Sequence, residues 1–123
     1  MKIRIKGNSI RLRLTRSEVD RFGKEGRIVE TTQIGNQKLS YCLTQTTGNQ
    51  LEASFENATV TVGMPKTWAN EWVQTERVGY ESNMPLDQQQ SLYLLVEKDF
   101  VCLDQTNEDQ SDNYPNPLAA THP

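Results

Sequence analysis

Gly7-Asn8-Ser9-Ile10-Arg11-Leu12-Arg13-Leu14-Thr15-Arg16-Ser17-Glu18 decides how the rest of the chain folds. Gly7-Asn8 is turn chemistry, and after it Ile10, Leu12 and Leu14 alternate with polar or charged residues. A period of two is that of a strand with one buried face. Thr15 and Glu18 then stand at the spacing of a capping box, in which the acid reaches back to the first amide of a helix. Upstream, Lys2-Ile3-Arg4-Ile5-Lys6 alternates in the same way, so residues 2–14 form a hairpin. Downstream, Val19 and Phe22 mark the inner side of a short helix that ends at Gly23 or Gly26. Strands are expected over 27–32 and 38–44, around a Gly35-Asn36 turn. The order is β-β-α-β-β.

The same order returns fifty positions later. Residues 51–56 and 59–64 alternate around Asn57-Ala58, and Pro65-Lys66 opens a helix with proline at its favoured first position. Ser9, Ile10, Leu12 and Leu14 fall on Thr59, Val60, Val62 and Met64, and Phe22 falls on Trp72. Strands over 77–82 and 91–97 complete the set. A longer loop over 83–90 shifts the register by two, so that Tyr41 falls on Tyr93 and Leu43 on Leu95. Such self-similarity redirects the whole fold reading. The expected fold is α+β and strand-dominated: two tandem β-β-α-β-β units, 1–46 and 51–97, in a pseudo-two-fold barrel or sandwich. A further strand at 100–103 completes a single domain over 1–103, and 104–123 is an acidic tail containing Pro and Asn.

Composition agrees with one small domain. The 123 residues are 35% hydrophobic, with a mean hydropathy of −0.70, so a core forms only if apolar residues are well placed. No run approaches the ~20 apolar residues of a membrane helix. No apolar stretch of the secretory kind follows the N-terminus, and a cytoplasmic location without membrane association is expected. Cys42 and Cys102 sit on apolar runs and are expected to be buried thiols rather than a disulfide. The single histidine, His122, lies in the tail, so neither a metal site, nor a Ser-His-Asp arrangement, nor a cofactor is expected.

Gly7-Asn8-Ser9 before a strand, a short helix that opens on Pro65-Lys66 in the second unit, and two further strands resemble the AbrB/MazE family of bacterial transcription factors. That resemblance implies a swapped-hairpin unit, and two in tandem imply a single-chain pseudo-dimer. The chain also resembles a family of uncharacterised small bacterial proteins, through residues 3–15, the block Leu94-Leu95-Val96-Glu97-Lys98-Asp99-Phe100-Val101-Cys102-Leu103-Asp104, and Tyr114-Pro115-Asn116-Pro117. This second resemblance implies no function.

Charge is segregated along the chain. Residues 1–28 hold nine basic residues and three acids, a net of +6, whereas the remainder carries a net of −9. Lys2, Arg4, Lys6, Arg11 and Arg13 form a candidate anion or nucleic-acid surface, and phosphate contacts there would weaken steeply with salt. The equivalent positions in the second unit are Glu52, Ser54, Glu56, Thr61 and Gly63. A second reading therefore pairs the stripe with Glu52 and Glu56 across the pseudo-two-fold. Trp68 and Trp72, one helical turn apart, are either core anchors or a candidate partner surface. Carboxylate pairs such as Glu52/Glu56 and Glu97/Asp99 are more simply surface charge than acid-base machinery. The acidic tail is expected to fold onto the basic first unit. Function is unknown, and a non-enzymatic binding or interaction domain is favoured. Its alternatives are an AbrB-like nucleic-acid-binding regulator and a binder of a small phosphorylated or anionic ligand. A protein or small-molecule partner is favoured over nucleic acid.

Overall fold

A computed structural model describes residues 1–100 and 112–115. The chain forms β1 (Lys2–Ile5), β2 (Ser9–Leu14), α1 (Arg16–Glu25), β3 (Arg27–Ile34) and β4 (Gln37–Thr46). A second series follows: β5 (Glu52–Glu56), β6 (Thr59–Pro65), α2 (Lys66–Gln74), β7 (Gly79–Pro85) and β8 (Ser91–Lys98). The fold is α+β and strand-dominated. Gly26, at φ 78°, ends α1 in the left-handed conformation that glycine adopts without strain.

The strands form two four-stranded sheets, ordered β1-β2-β8-β7 and β3-β4-β6-β5. Each sheet takes one hairpin from each half of the chain. The hairpins are antiparallel, and they join through the parallel pairs β2/β8 and β4/β6. Among the described residues neither sheet is closed, so of the expected barrel or sandwich no closed barrel is seen. One core joins both sheets to both helices: Leu12, Leu14, Leu94 and Val96 of the first sheet, Ile28, Leu43, Val62 and Met64 of the second, with Phe22 and Trp72 from the helices. The helices follow the far ends of β2 and β6, so they close one end of the space between the sheets. The turn after β1 and the turn after β5 lie at the other end.

Register corrects the expected alignment by one residue. Ser9 pairs with Tyr93 in one sheet, and Thr59, its counterpart, pairs with Ser40 in the other. The Tyr93 amide donates to the Asn8 carbonyl (3.1 Å) as the Ser40 amide donates to Ala58 (3.0 Å). Farther along, Lys98 donates to Val78 (2.9 Å) as Gln45 donates to Gly26 (3.0 Å). Tyr41 thus occupies the place of Leu94, not Tyr93, and Leu43 that of Val96, not Leu95. In a strand, one residue of slip exchanges the faces. Leu43 and Val96 are both buried, whereas Leu95 is only partly so. The strand expected to begin at residue 77 begins at Gly79, and the expected loop over 83–90 is shorter because β7 runs on to Pro85.

Cys42 is a free, buried thiol, while Cys102 lies outside the described residues. Of the strand expected at 100–103, Phe100 makes a single parallel bridge to Tyr114, and 101–103 lie outside the described residues. So do residues 104–111 and 116–123 of the tail, with His122 among them. The described stretch 112–115 touches both halves of the chain: the Tyr114 amide donates to the Asp99 carbonyl (2.9 Å), and Asp112 reaches the start of α1. The Asp112 carbonyl accepts from the Arg16 amide (3.0 Å), and its carboxylate accepts from the Ser17 amide (3.2 Å) and hydroxyl. These hydrogen bonds, led by that from the Ser17 hydroxyl, hold the Asp112 carboxyl below its ordinary value. Asp112 therefore satisfies free amides at the start of α1 from far along the chain.

Candidate anion-binding face

The outward positions of β1 and β2 bring the basic stripe together. Lys2 lies opposite Arg13 and Arg4 opposite Arg11, so like charges face each other across the hairpin. Directly opposed like charges destabilise a strand pair. β8, on the other side of β2, supplies the counter-ion. Glu97 pairs in register with Arg13, and its Oε1 lies 2.8 Å from the Arg13 Nε and 3.4 Å from the Arg11 Nε. Lys2 Nζ stands 3.3 Å from Oδ2 of the buried Asp99, close enough for an ion pair although the geometry is not that of a hydrogen bond.

Glu52 and Glu56 do not take this role. They lie on β5, at the edge of the other sheet, so cross-strand pairing with the stripe is not available to them. Glu97 and Asp99 each face cations in this arrangement.

Arg4 and Lys6 remain. Both are exposed, and neither has an ion-pair partner among the described residues. With Arg11, Ser9, Ile10 and Tyr93 they line an open recess of about 180 Å3. Lys6 sits just past the end of β1, where Gly7 turns the chain at φ 54° and the Ser9 hydroxyl donates to the Lys6 carbonyl (2.6 Å). The Tyr93 hydroxyl donates to Glu81, and this hydrogen bond raises the phenol above its ordinary value. Tyr93 therefore stays neutral beside the cations at physiological pH. At about 180 Å3 the recess is below the ~300 Å3 where small-molecule pockets begin. Its geometry suits one phosphate or carboxylate presented from outside.

The tryptophans separate. Trp72 has no exposed surface: its ring meets Phe22 edge-on at 6.1 Å, and its indole N–H donates to the Val78 carbonyl (3.0 Å). It is a core anchor and no part of a partner surface. Trp68 is half-buried and stacks on Tyr80, with ring centres 5.0 Å apart. The Arg77 guanidinium lies 4.2 Å from the Tyr80 ring centre, and the Tyr80 hydroxyl donates to Glu71. Burial, followed by the bond to Glu71, pushes the Tyr80 phenol up to about 12. Tyr80 is thus held between Trp68 and the Arg77 guanidinium, with its hydroxyl on Glu71.

A third charged cluster is structural. The Met1 amino group is paired with Glu18 and lies 3.0 Å from Glu30, while the Thr15 amide donates to Glu18 (2.9 Å). Burial raises the Glu18 carboxyl, but the hydrogen bonds from the amino terminus and Thr15 outweigh it, and the net shift is downward. Glu18 is thus the back-reaching acid that the capping-box spacing predicts.

Glu97, Ser9 and Tyr93 are absent from the stripe as read in sequence. Ser9 lies on β2 itself, whereas Tyr93 and Glu97 join the stripe only through the parallel pairing of β2 with β8, between residues 84 positions apart. Alternation within 91–97 is the one signal that could place Tyr93 and Glu97 on a common face. Among the described residues no group of acids, histidines and cysteines is arranged to hold a metal ion. No helix among them is long and apolar enough to cross a membrane.

No curated protein matches the chain, and no solved structure matches it. A family model does, over residues 1–118, nearly the whole length of the molecule described above. By that match the chain belongs to the family of unknown function DUF7009.

Proposed function

We propose that this protein is a non-enzymatic binding module that uses the β1–β2 face to hold an acidic group of a larger protein partner. The carrying observation is the convergence of Arg4, Lys6 and Arg11 on one shallow recess, with Arg4 and Lys6 lacking an acidic neighbour among the described residues. An open recess of this size favours a side chain or phosphate displayed by a partner over an engulfed metabolite. Glu97 and Glu81 flank the cations, and the chain carries a net charge of −3, which disfavours close approach of a duplex.

One observation favours a second reading, nucleic-acid binding. Each sheet joins hairpins from both halves, which is the exchange implied by the AbrB/MazE resemblance, and we read the two units as a tandem duplication forming a single-chain pseudo-dimer. Fluorescence anisotropy separates the two readings, with labelled poly-glutamate, duplex DNA and single-stranded RNA each titrated across a salt series. Poly-glutamate binding that Arg4→Ala/Arg11→Ala abolishes is the expected result. Binding of DNA or RNA alone, with a steep salt dependence, favours the second reading. Failure of all three probes at low salt removes the anion-binding face.

A further inference from the structure

The end of the molecule opposite the helices carries an apolar groove of about 370 Å3 between the two sheets. One bank is Ile3, Ile5 and Ile10 of β1 and β2, and the other is Ala53, Phe55 and Val60 of β5 and β6. These are the same three positions of each unit, fifty residues apart. The lips are exposed: Ile5 by 58% and Phe55 by 67%, values unusual for large apolar residues on the inward face of a sheet. Each lip residue is followed by a charge of opposite sign, Lys6 after Ile5 and Glu56 after Phe55. Both charges are exposed, and neither has an ion-pair partner among the described residues.

We propose that a second copy of this chain occupies this groove, forming an isologous dimer in which the β1–β2 bank of each copy faces the β5–β6 bank of the other. A two-fold interface must be self-complementary, so that a residue and its partner exchange roles across the axis. This surface meets that condition: Ile5 meets Phe55, Lys6 meets Glu56, and each contact occurs twice. The other two-fold arrangement sets Lys6 against Lys6 and Glu56 against Glu56, so charge selects the first. The lips are only the ends of β1 and β5, and the contact is accordingly small and concentration-dependent. Lys6 is shared with the anion-binding recess, but Arg4 and Arg11 lie outside the groove, so the two proposals fail separately.

Sedimentation velocity of the full chain, from micromolar to near-millimolar, reads the outcome. The expected result is a monomer–dimer shift that weakens in high salt. Phe55→Asp abolishes it and leaves the circular-dichroism melt unchanged, because Phe55 is exposed. Lys6→Glu and Glu56→Lys each weaken association by about tenfold or more, since like charges then face each other. The double exchange K6E/E56K restores it. A wild-type chain that stays monomeric throughout overturns the proposal, including one that instead takes up an apolar dye in the groove. So does a dimer indifferent to Phe55→Asp, or a double exchange no better than its single variants.

Discussion

The two halves of the molecule place their residues in equivalent positions and fill them differently. Where the positions face inward, the fillings agree in kind: Leu12 and Val62, Leu14 and Met64, Leu43 and Val96, Phe22 and Trp72 are all buried. Where they face outward, the fillings diverge, with Arg4 and Arg11 on one hairpin and Ser54 and Thr61 on the other. Burial constrains polarity, whereas a solvated face leaves charge free to differ. The divergence is therefore where a function can be carried by one half alone, and the anion-binding face proposed above lies on the basic hairpin.

The largest test of the comparison is in the helices. Phe22 and Trp72 meet at the closed end of the molecule, with rings inclined at 71°. Truncating either to alanine costs about 3–5 kcal/mol, read from urea unfolding. Trp72 falls at the upper end of that range, because its N–H also satisfies the Val78 carbonyl at the entry to β7. Trp72→Phe isolates this bond and costs about 0.5–1.5 kcal/mol, since the Val78 carbonyl keeps the Lys98 amide as a second donor. A Phe22→Ala variant less stable than Trp72→Ala would break the ranking.

A sharper test uses Gly23 and Val73, equivalent positions that face each other where the helices cross. A Cβ on Gly23 would stand 2.9 Å from both methyl groups of Val73, closer than packed carbons approach. At this point the two units cannot be alike, because there is room for one branched side chain only. Gly23→Ala is expected to destabilise by about 1–3 kcal/mol through overpacking. Val73→Ala in the same chain relieves the clash, so the double variant is more stable than the sum of the two single changes. Strict additivity would show that the helices do not pack as described.

Local features were legible in the sequence and long-range ones were not. Alternation in β1 and β2 and the Thr15/Glu18 spacing depend on near neighbours, and each was readable, whereas the end of α1 was readable only as Gly23 or Gly26, of which Gly26 closes it. The pairing of β2 with β8 is set by how two hairpins share one core, which no local pattern encodes. Matching Tyr41 to Tyr93 favoured side-chain identity over parity, and parity decided, because a slip by one turns a buried position outward. Among the site residues, the stripe was visible but its counter-ion was not, since Glu97 arrives from the far end of the chain. Ile5 and Phe55 alternate as core residues do, yet they lie at the strand ends beyond the cover of the helices. Position in the fold, not residue type, exposes them.

The smallest and most specific test concerns Gln45 and Lys98, which occupy equivalent places near the ends of β4 and β8. Each closes the end of a helix through its side chain: Gln45 Nε2 donates to the Phe22 carbonyl (3.2 Å) and Lys98 Nζ to the Thr75 carbonyl (2.8 Å). Lys98 is buried, with Nζ 5.2 Å from the Tyr114 ring centre. Burial holds its amine below the usual 10.5, and Glu76 opposes that shift only in part. If the first unit shows what this position requires, a neutral donor suffices, and Lys98→Gln costs about 1 kcal/mol or less. Lys98→Met leaves the Thr75 carbonyl without its donor and costs about 1–3 kcal/mol. The pH dependence separates charge from hydrogen bonding. Between the lowered folded value and 10.5 the unfolded chain holds more protons at this site than the folded one, so wild-type stability gains a rising contribution with pH there. Lys98→Gln lacks that contribution, and the stability difference between the two proteins therefore moves toward the wild type as pH climbs to about 10. A difference that stays flat across this window would mean that Lys98 is as well solvated folded as unfolded, and that the two helix ends are closed by unlike means.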